Sequence, residues 1–261
     1  MRLVSHYDKS RVARQFGRAA VGYAEHDHLQ RQVLAQLLPY LRPQPGLLVD
    51  VGCGPAHHFQ RLCQVSNHYI GIDLAPAMLA QAAQHLPPAQ LMLADMEQLP
   101  LADGSVHSLF SNLAMQWGND LSGLLAEWYR VLAPGGQLAA STVLAGSLWP
   151  LSECFTAVDG QPHTNRWYGF DEFALLAGRL PWQVECQELV ITQEFATVAA
   201  MLRELKGVGA NYTAREQQGL FSRTRMQRLY QALERHRNAR GLLELQWRIG
   251  LVTGRKELEE N

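Results

Sequence analysis

Three short apolar runs in the first hundred residues each end on, or just after, an aspartate: LLVDV (47–51), HYIGID (68–73) and QLMLAD (90–95). Runs of this length, bounded by turn residues, read as buried strands. Segments with helical spacing separate them. His57 to Gln64 can open a helix, and PAMLAQAAQHL starts another, with Pro76 at a favoured early position. VHSLFSN (106–112) reads as a strand, LSGLLAEWYRVL as a helix, and PGG (134–136) as the turn into a strand QLAASTVL. Repeated strand–helix units imply a parallel sheet with helices on both faces. Ahead of the sheet, Val12, Phe16, Ala19 and Ala20 follow the helical period, as do Leu29, Val33, Leu37 and Leu41; Pro43 and Pro45 end that part. Beyond residue 145 the pattern changes. Residues 150–180 read as helical, WQVECQELVITQEF (182–195) as a strand, 197–237 as more helix, and LLELQWRIGLVTGRK as a closing strand. The sheet therefore regains two strands late, around a helical insertion.

Composition supports an ordinary folded domain. The chain has 261 residues, 47% hydrophobic and 18% charged, enough for a full core. No apolar run is long enough to cross a bilayer, and MRLVSHYDKSR lacks a signal-peptide core. Cys53, Cys63, Cys154 and Cys186 have no framework spacing, so a reduced, cytoplasmic protein is expected. The net charge of −1 is unevenly spread: residues 201–240 carry +6, residues 1–45 carry +4, and the rest about −11. Such a basic face attracts an acidic partner, or is simply a solvated helix surface. The whole chain is not basic, which argues against nucleic acid, and nothing suggests a membrane partner.

The candidate chemistry starts at VDVGCGPAHHF (49–59). Gly52 and Gly54 permit a tight turn and close backbone approach after the first strand, where open parallel sheets bind ligands. A dinucleotide fingerprint needs a third glycine, but His57 stands in its place. Asp50 would also repel a pyrophosphate. S-adenosylmethionine, with a cationic sulfonium and amino group, suits a carboxylate there. Asp73 ends the second strand, where it can accept from ribose hydroxyls. Asp95 ends the third, where it can accept from an adenine amino group, with Met96 alongside. Any one of these could be a turn or cap residue; three in register at successive strand ends point to a cofactor.

DVGCGPA, IGIDLAPAML, LADMEQLPL and LAPGGQL together resemble the ordered motifs of the Rossmann-like S-adenosylmethionine-dependent methyltransferases, over about residues 45–145. The resemblance implies a seven-stranded sheet whose last strand is antiparallel. It implies a cofactor site of Asp50, Gly52, Gly54, Asp73, Leu74, Met78, Asp95, Met96, Asn112 and Gln30. Ala56 stands where the family usually has glycine, and would crowd the loop if its backbone needs a positive φ. The flanks are more specific. FGRAAVGYAEHDHLQR (16–31), SNLAMQWGNDL (111–121), AGSLWPL (145–151), QPHTNRWYGFDE (161–172) and ELKGVGAN (204–211) resemble the malonyl-acyl-carrier-protein O-methyltransferases of biotin synthesis. That implies methylation of the free carboxylate of a malonyl thioester, on acyl carrier protein or, alternatively, coenzyme A. The expected layout is one domain: a helical lid at 1–44, a cofactor-binding core at 45–145, substrate-side helices and a strand at 146–240, and the closing strand at 241–256.

A malonyl carboxylate is ionised at neutral pH, so no general base is needed and catalysis rests on alignment and exclusion of water. No Ser/His/Asp set stands out. Neighbouring His57 and His58 do not converge as ligands, so no metal is expected. The substrate carboxylate needs a cation, and Arg18, Arg166 and Lys206 are the candidates in the family-like stretches. Tyr23 is a further catalytic candidate, and Tyr23, Gln30, Asn112, Gln116 and Trp117 are expected to wall the pocket. Arg203, Arg215, Arg223, Arg225 and Arg228 could steer docking of the acidic carrier protein. A monomer is expected. Two rival readings are a methyltransferase for a small ring substrate and a non-catalytic S-adenosylmethionine-binding regulator.

Overall fold

Burial on both faces marks the central strands. Four of the five residues of β1 (Leu47–Val51) are buried, as are five of the six in β4 (Val106–Ser111), as expected for parallel strands covered by helices on each side. The computed structural model describes residues 6–87, 90–161, 163–207 and 222–258. Its sheet adds β2 (His68–Asp73), β3 (Leu91–Leu93), β5 (Leu132–Val143), β6 (Trp182–Phe195) and β7 (Leu243–Lys256), in the order β3-β2-β1-β4-β5-β7-β6. The strands from β3 to β5 pair in parallel; β7 is antiparallel to both β5 and β6. This is the α/β, Rossmann-like seven-stranded sheet expected from the sequence, with its last strand reversed.

The helices among the described residues are α1 (Lys9–Ala19), α2 (His28–Leu37), α3 (Phe59–Leu62), α4 (Pro76–Ala82), α5 (Leu121–Val131), α6 (Leu151–Asp159), α7 (Phe170–Ala177), α8 (Val198–Gly207) and α9 (Arg223–Glu234). Asp8 caps α1 by accepting from the Ser10 and Arg11 amides, which satisfies donors that a helix start leaves open. On α5, Leu121, Leu124, Leu125, Trp128 and Val131 form one buried stripe, each large apolar side chain stabilising the fold by roughly 1.5–3 kcal/mol. Trp128 is fully buried and its indole N–H donates to the Met96 carbonyl at 3.1 Å. That bond ties α5 to the turn after β3.

Three local expectations change. The helix expected at His57–Gln64 is only α3, because Ala56 has a left-handed backbone (φ +54°) and His57 and His58 lie in a turn. The helical stretch expected over 150–180 is two helices, because Gly160 (φ +76°) closes α6. Strand β5 begins before PGG. Gly135 (φ +76°) takes up a bulge there, and the register with β4 shifts between Val106 and Ser108. The order of strands reverses at β1 and β4, so the crevice for a ligand lies at their carboxyl ends.

Candidate active site

A tight turn after β1 builds the floor of the site. The amides of Gly52 and Cys53 both donate to the Ile72 carbonyl, at 2.7 and 3.0 Å, and the Gly54 amide donates to Asp73 Oδ2 at 2.8 Å. Asp73 Oδ1 also accepts from the Ala75 amide at 2.7 Å, at the entry to α4. The two glycines have different reasons to be glycine. Gly52 has φ +75°, and a Cβ there would lie 2.3 Å from the Ala114 Cβ. Gly54 has φ +55° with nothing within 4 Å of where its Cβ would stand, so it needs the backbone freedom and not the space. Ala56 has the positive φ that makes a methyl costly, and it is buried.

Over this floor lies a cleft of about 600 Å³, counting the solvent-open space at its mouth. Gly52, Gly54, Asp73, Leu74, Met78, Met96 and Asn112 all line it, together with residues of α1. Helix α1 roofs it with Lys9, Val12, Ala13 and Phe16. Lys9 Nζ pairs with Asp95, at 3.1 Å, and with Glu97, which fastens the roof to the far wall. Tyr7 and Phe16 meet the ring of Trp117 edge-on, with centroids 5.2 and 5.3 Å apart.

A second cavity of about 480 Å³ adjoins the first and shares Phe16, Tyr23, Leu113 and Trp117 with it. His26, Leu29, Gln30, Gln116, Val143, Gln193, Glu204, Leu205 and Trp247 complete its lining. The shared wall is held in a strained form. Leu113 has φ +53°, and a lattice of hydrogen bonds keeps it there. Ser141 Oγ accepts from the Leu113 amide at 2.8 Å and donates to Asn112 Oδ1 at 3.1 Å. Asn112 Nδ2 donates to the Gln30 carbonyl at 2.8 Å, and Gln116 Nε2 to the Leu113 carbonyl. The Oε1 of Gln30 is buried with no partner among the described residues.

The electrostatics follow from burial. Burial pushes the Asp50 carboxyl up to about 7; the Tyr69 hydroxyl, donating at 2.9 Å, opposes this, and the Asp73 charge adds to it. Burial also raises Asp73, against the pull of its backbone donors. Desolvation, then the Asp73 and Asp27 carboxylates, push the Tyr23 phenol well above its ordinary range, so it serves as a neutral hydrogen-bonding group and not as a base. Cys53 is raised by burial and by the Asp50 and Asp73 charges, so it is not an activated thiol.

The sequence-predicted residues fall into three groups. Gly52, Gly54, Asp73, Leu74, Met78, Met96 and Asn112 meet in the cleft, and Tyr23 borders both cavities. Asp50 and Asp95 stand one layer behind the wall: Asp50 under the loop against Tyr69, Asp95 beneath Lys9. Gln30 lines the second cavity and not the first. The expectation of a substrate cation at Arg18, Arg166 or Lys206 does not match the geometry: all three are exposed and none lines either cavity. Arg18 and Lys206 sit in the last turns of α1 and α8, where a cation suits the helix end. Sequence reasoning missed Lys9, Phe16, His26, Gln193, Glu204 and Trp247. Phe16, His26 and Glu204 lie in the family-like stretches, but only the fold brings them together. Among the described residues no group of three or more His, Cys, Asp or Glu side chains could hold a metal, and no helix is long and apolar enough to cross a membrane.

The sheet order, the glycine turn pinned to an acidic strand end and the roofed cleft define a Rossmann-like methyltransferase. Residues 49–140 match the family model described as a methyltransferase domain. The chain resembles the YcgJ protein from Bacillus subtilis (TM-score 0.62, 14% identity, 87% of this chain and 99% of that one), which supports the fold alone. Two relatives are much nearer in sequence. The malonyl-[acyl-carrier protein] O-methyltransferase of Erwinia billingiae is 39% identical over 88% of this chain and 92% of its own length. That of Yersinia pestis is 36% identical over 86% and 84%. The chain belongs to the malonyl-[acyl-carrier protein] O-methyltransferase family.

Ala56→Gly trades relief of left-handed strain against a lost buried methyl and added chain entropy, so denaturant unfolding should shift by no more than about 1 kcal/mol. Ala56→Val puts a β-branched residue into the same backbone and should destabilise by roughly 2–4 kcal/mol. Asp50 gives a pH test. Because its native value is raised, the native state holds a proton that the unfolded chain loses first, so stability falls as pH rises from about 4 to about 7, by at most about 1.4 kcal/mol per unit for this group. Asp50→Asn should remove that component, and its advantage over the parent in thermal melts of the cofactor-free protein should grow across that window and then level off.

Proposed function

We propose that this chain transfers a methyl group from S-adenosylmethionine to the free carboxylate of a malonyl thioester on acyl carrier protein, giving the methyl ester used in biotin synthesis. The observation that carries the reading is the junction of the two cavities at Phe16, Tyr23, Leu113 and Trp117, in a chain of this family. One cavity takes the cofactor and the other the acceptor, with a shared boundary where they react.

The cleft fits the cofactor on chemical grounds. Each oxygen of Asp73 accepts one backbone N–H and has a lone pair left for a ribose hydroxyl. Leu74, Met78 and Met96 offer apolar contact for a base, and Gly52 and Gly54 present bare backbone to the amino-acid end. Asp50, under the loop, adds a field that favours a cation. When bound, S-adenosylmethionine supplies a methyl on a sulfonium sulfur, which a carboxylate oxygen can take in one displacement without any proton moving. The protein therefore needs to align and to keep water out. The aromatic wall of Phe16, Tyr23, Trp117 and Trp247 does the second, and the locked Leu113 turn does the first.

We read residues 1–44 and 146–240 as lid and substrate-side parts around the core at 45–145, in a cytoplasmic monomer. Arg203 on α8 and Arg223, Arg225 and Arg228 on α9 are exposed and form the basic surface offered to an acidic carrier protein; Arg215 lies outside the described residues. Mass spectrometry of malonyl-carrier protein after incubation with enzyme and S-adenosylmethionine should show one added methyl group that an esterase removes. No methylation of either the carrier-protein or the coenzyme A thioester would overturn the reading. Combined Arg223→Glu, Arg225→Glu and Arg228→Glu should lower kcat/KM on the carrier-linked substrate by about tenfold or more at low salt, with little change on malonyl-coenzyme A.

A further inference from the structure

A malonyl carboxylate entering the second cavity gives up its hydration, and a buried carboxylate without a partner is strongly disfavoured. Among the described residues lining that cavity there is no lysine or arginine; His26 is the side chain there that can carry positive charge. It is also the most elaborately held. Its Nδ1 lies 3.0 Å from Glu204 Oε2, and the other oxygen of the same carboxylate lies 2.8 Å from His28 Nδ1. An ionised carboxylate can only accept, so Glu204 fixes a proton on Nδ1 of both rings. That leaves Nε2 of His26 as the nitrogen that can gain a proton, and among the described residues nothing else bonds it.

Helix α8 is shaped to seat this ring. A Cβ at Gly207 would lie 2.0–2.7 Å from His26 Cδ2, Cγ and Nε2. The ring therefore rests where only glycine leaves room, while Glu204, one turn earlier, holds its other edge. In the lining of the same cavity, Trp247 Nε1 donates to Gln193 Oε1 at 2.8 Å. This fixes the amide with its N–H₂ end as the one left to meet a ligand.

We propose that His26, as an imidazolium positioned by Glu204, anchors the substrate carboxylate through Nε2–H, with the Gln193 amide as a second donor. The inference rests on the proposed malonyl methylation. The chemistry favours a single-point donor. A guanidinium fork would occupy both carboxylate oxygens, whereas the imidazolium N–H and the amide N–H can share one oxygen and leave the other to attack the methyl carbon.

The test compares affinities of malonyl- and acetyl-carrier protein, which differ by the carboxylate, in the presence of S-adenosylhomocysteine. The parent protein should bind the malonyl form about tenfold or more tighter, a charge-assisted hydrogen bond being lost with the acetyl form. His26→Gln keeps a group that can bond Glu204 but loses the charge. It should shrink the ratio to about twofold, while affinity for S-adenosylmethionine, measured separately to show the fold intact, stays within about twofold. Glu204→Gln should raise the KM for malonyl-carrier protein several-fold with kcat nearly held and the melting temperature unchanged. A His26→Gln protein that keeps the parent's malonyl preference overturns this assignment and leaves the methylation reading standing. A parent protein that methylates no malonyl thioester overturns both.

Discussion

The bond between the Gly54 amide and the Asp73 carboxylate holds the site together. A chain leaving β1 in a left-handed turn exposes a row of amides that a helix or strand would otherwise satisfy. The end of β2 takes three of them, two on the Ile72 carbonyl and one on Asp73. The turn is thereby pulled aside from the sheet's edge, and the crevice at the reversal of strand order stays open. Asp73 is partly buried and close to a fully buried acid, Asp50. A carboxylate in the cleft wall with a second carboxyl group behind it favours whatever brings positive charge to them, so the same residues that shape the turn bias the cleft toward a cationic ligand.

The second organising element is the turn after β4. Asn112, Leu113 and Gln116 are tied to Ser141 and Val143 of β5 and to the Gln30 carbonyl of α2. This network sets one residue, Leu113, into the wall of both cavities, in a backbone region that costs energy for any side chain beyond glycine. The strain is local and the restraint comes from the sheet, through Ser141 and Val143 of β5.

Much of this was legible in the sequence, and the residues say why. Strand runs such as LLVDV and HYIGID carry their own period, and the glycine pair and Asp73 mark the ends of elements, where local chemistry and position coincide. Ala56 was legible as a problem, and its φ shows the problem is real. What local pattern cannot give is which side of an element meets which other element. Lys206 follows Leu205 in sequence, yet about 100° of helix rotation turns it outward while Leu205 lines a cavity. Asp50 and Asp95 stand at the right strand ends but turn toward Tyr69 and Lys9. Glu204 and His26 lie 178 residues apart, and no spacing rule connects them.

The lining of the two cavities also carries a history. Every residue of the cleft lies between positions 9 and 117, whereas the second cavity waits for Gln193, Glu204 and Trp247. Strand β7, which contributes Trp247, is also the strand that slots between β5 and β6. Until it emerges from the ribosome, β5 is an open edge of the kind that recruits foreign strands, and β6 has no partner among the strands made before it. Synthesis from the N-terminus therefore lays down every residue of the cleft in the first half of the chain and seals the neighbouring chamber and the sheet in one late event. The nascent chain is most exposed to mispairing in the interval between the two.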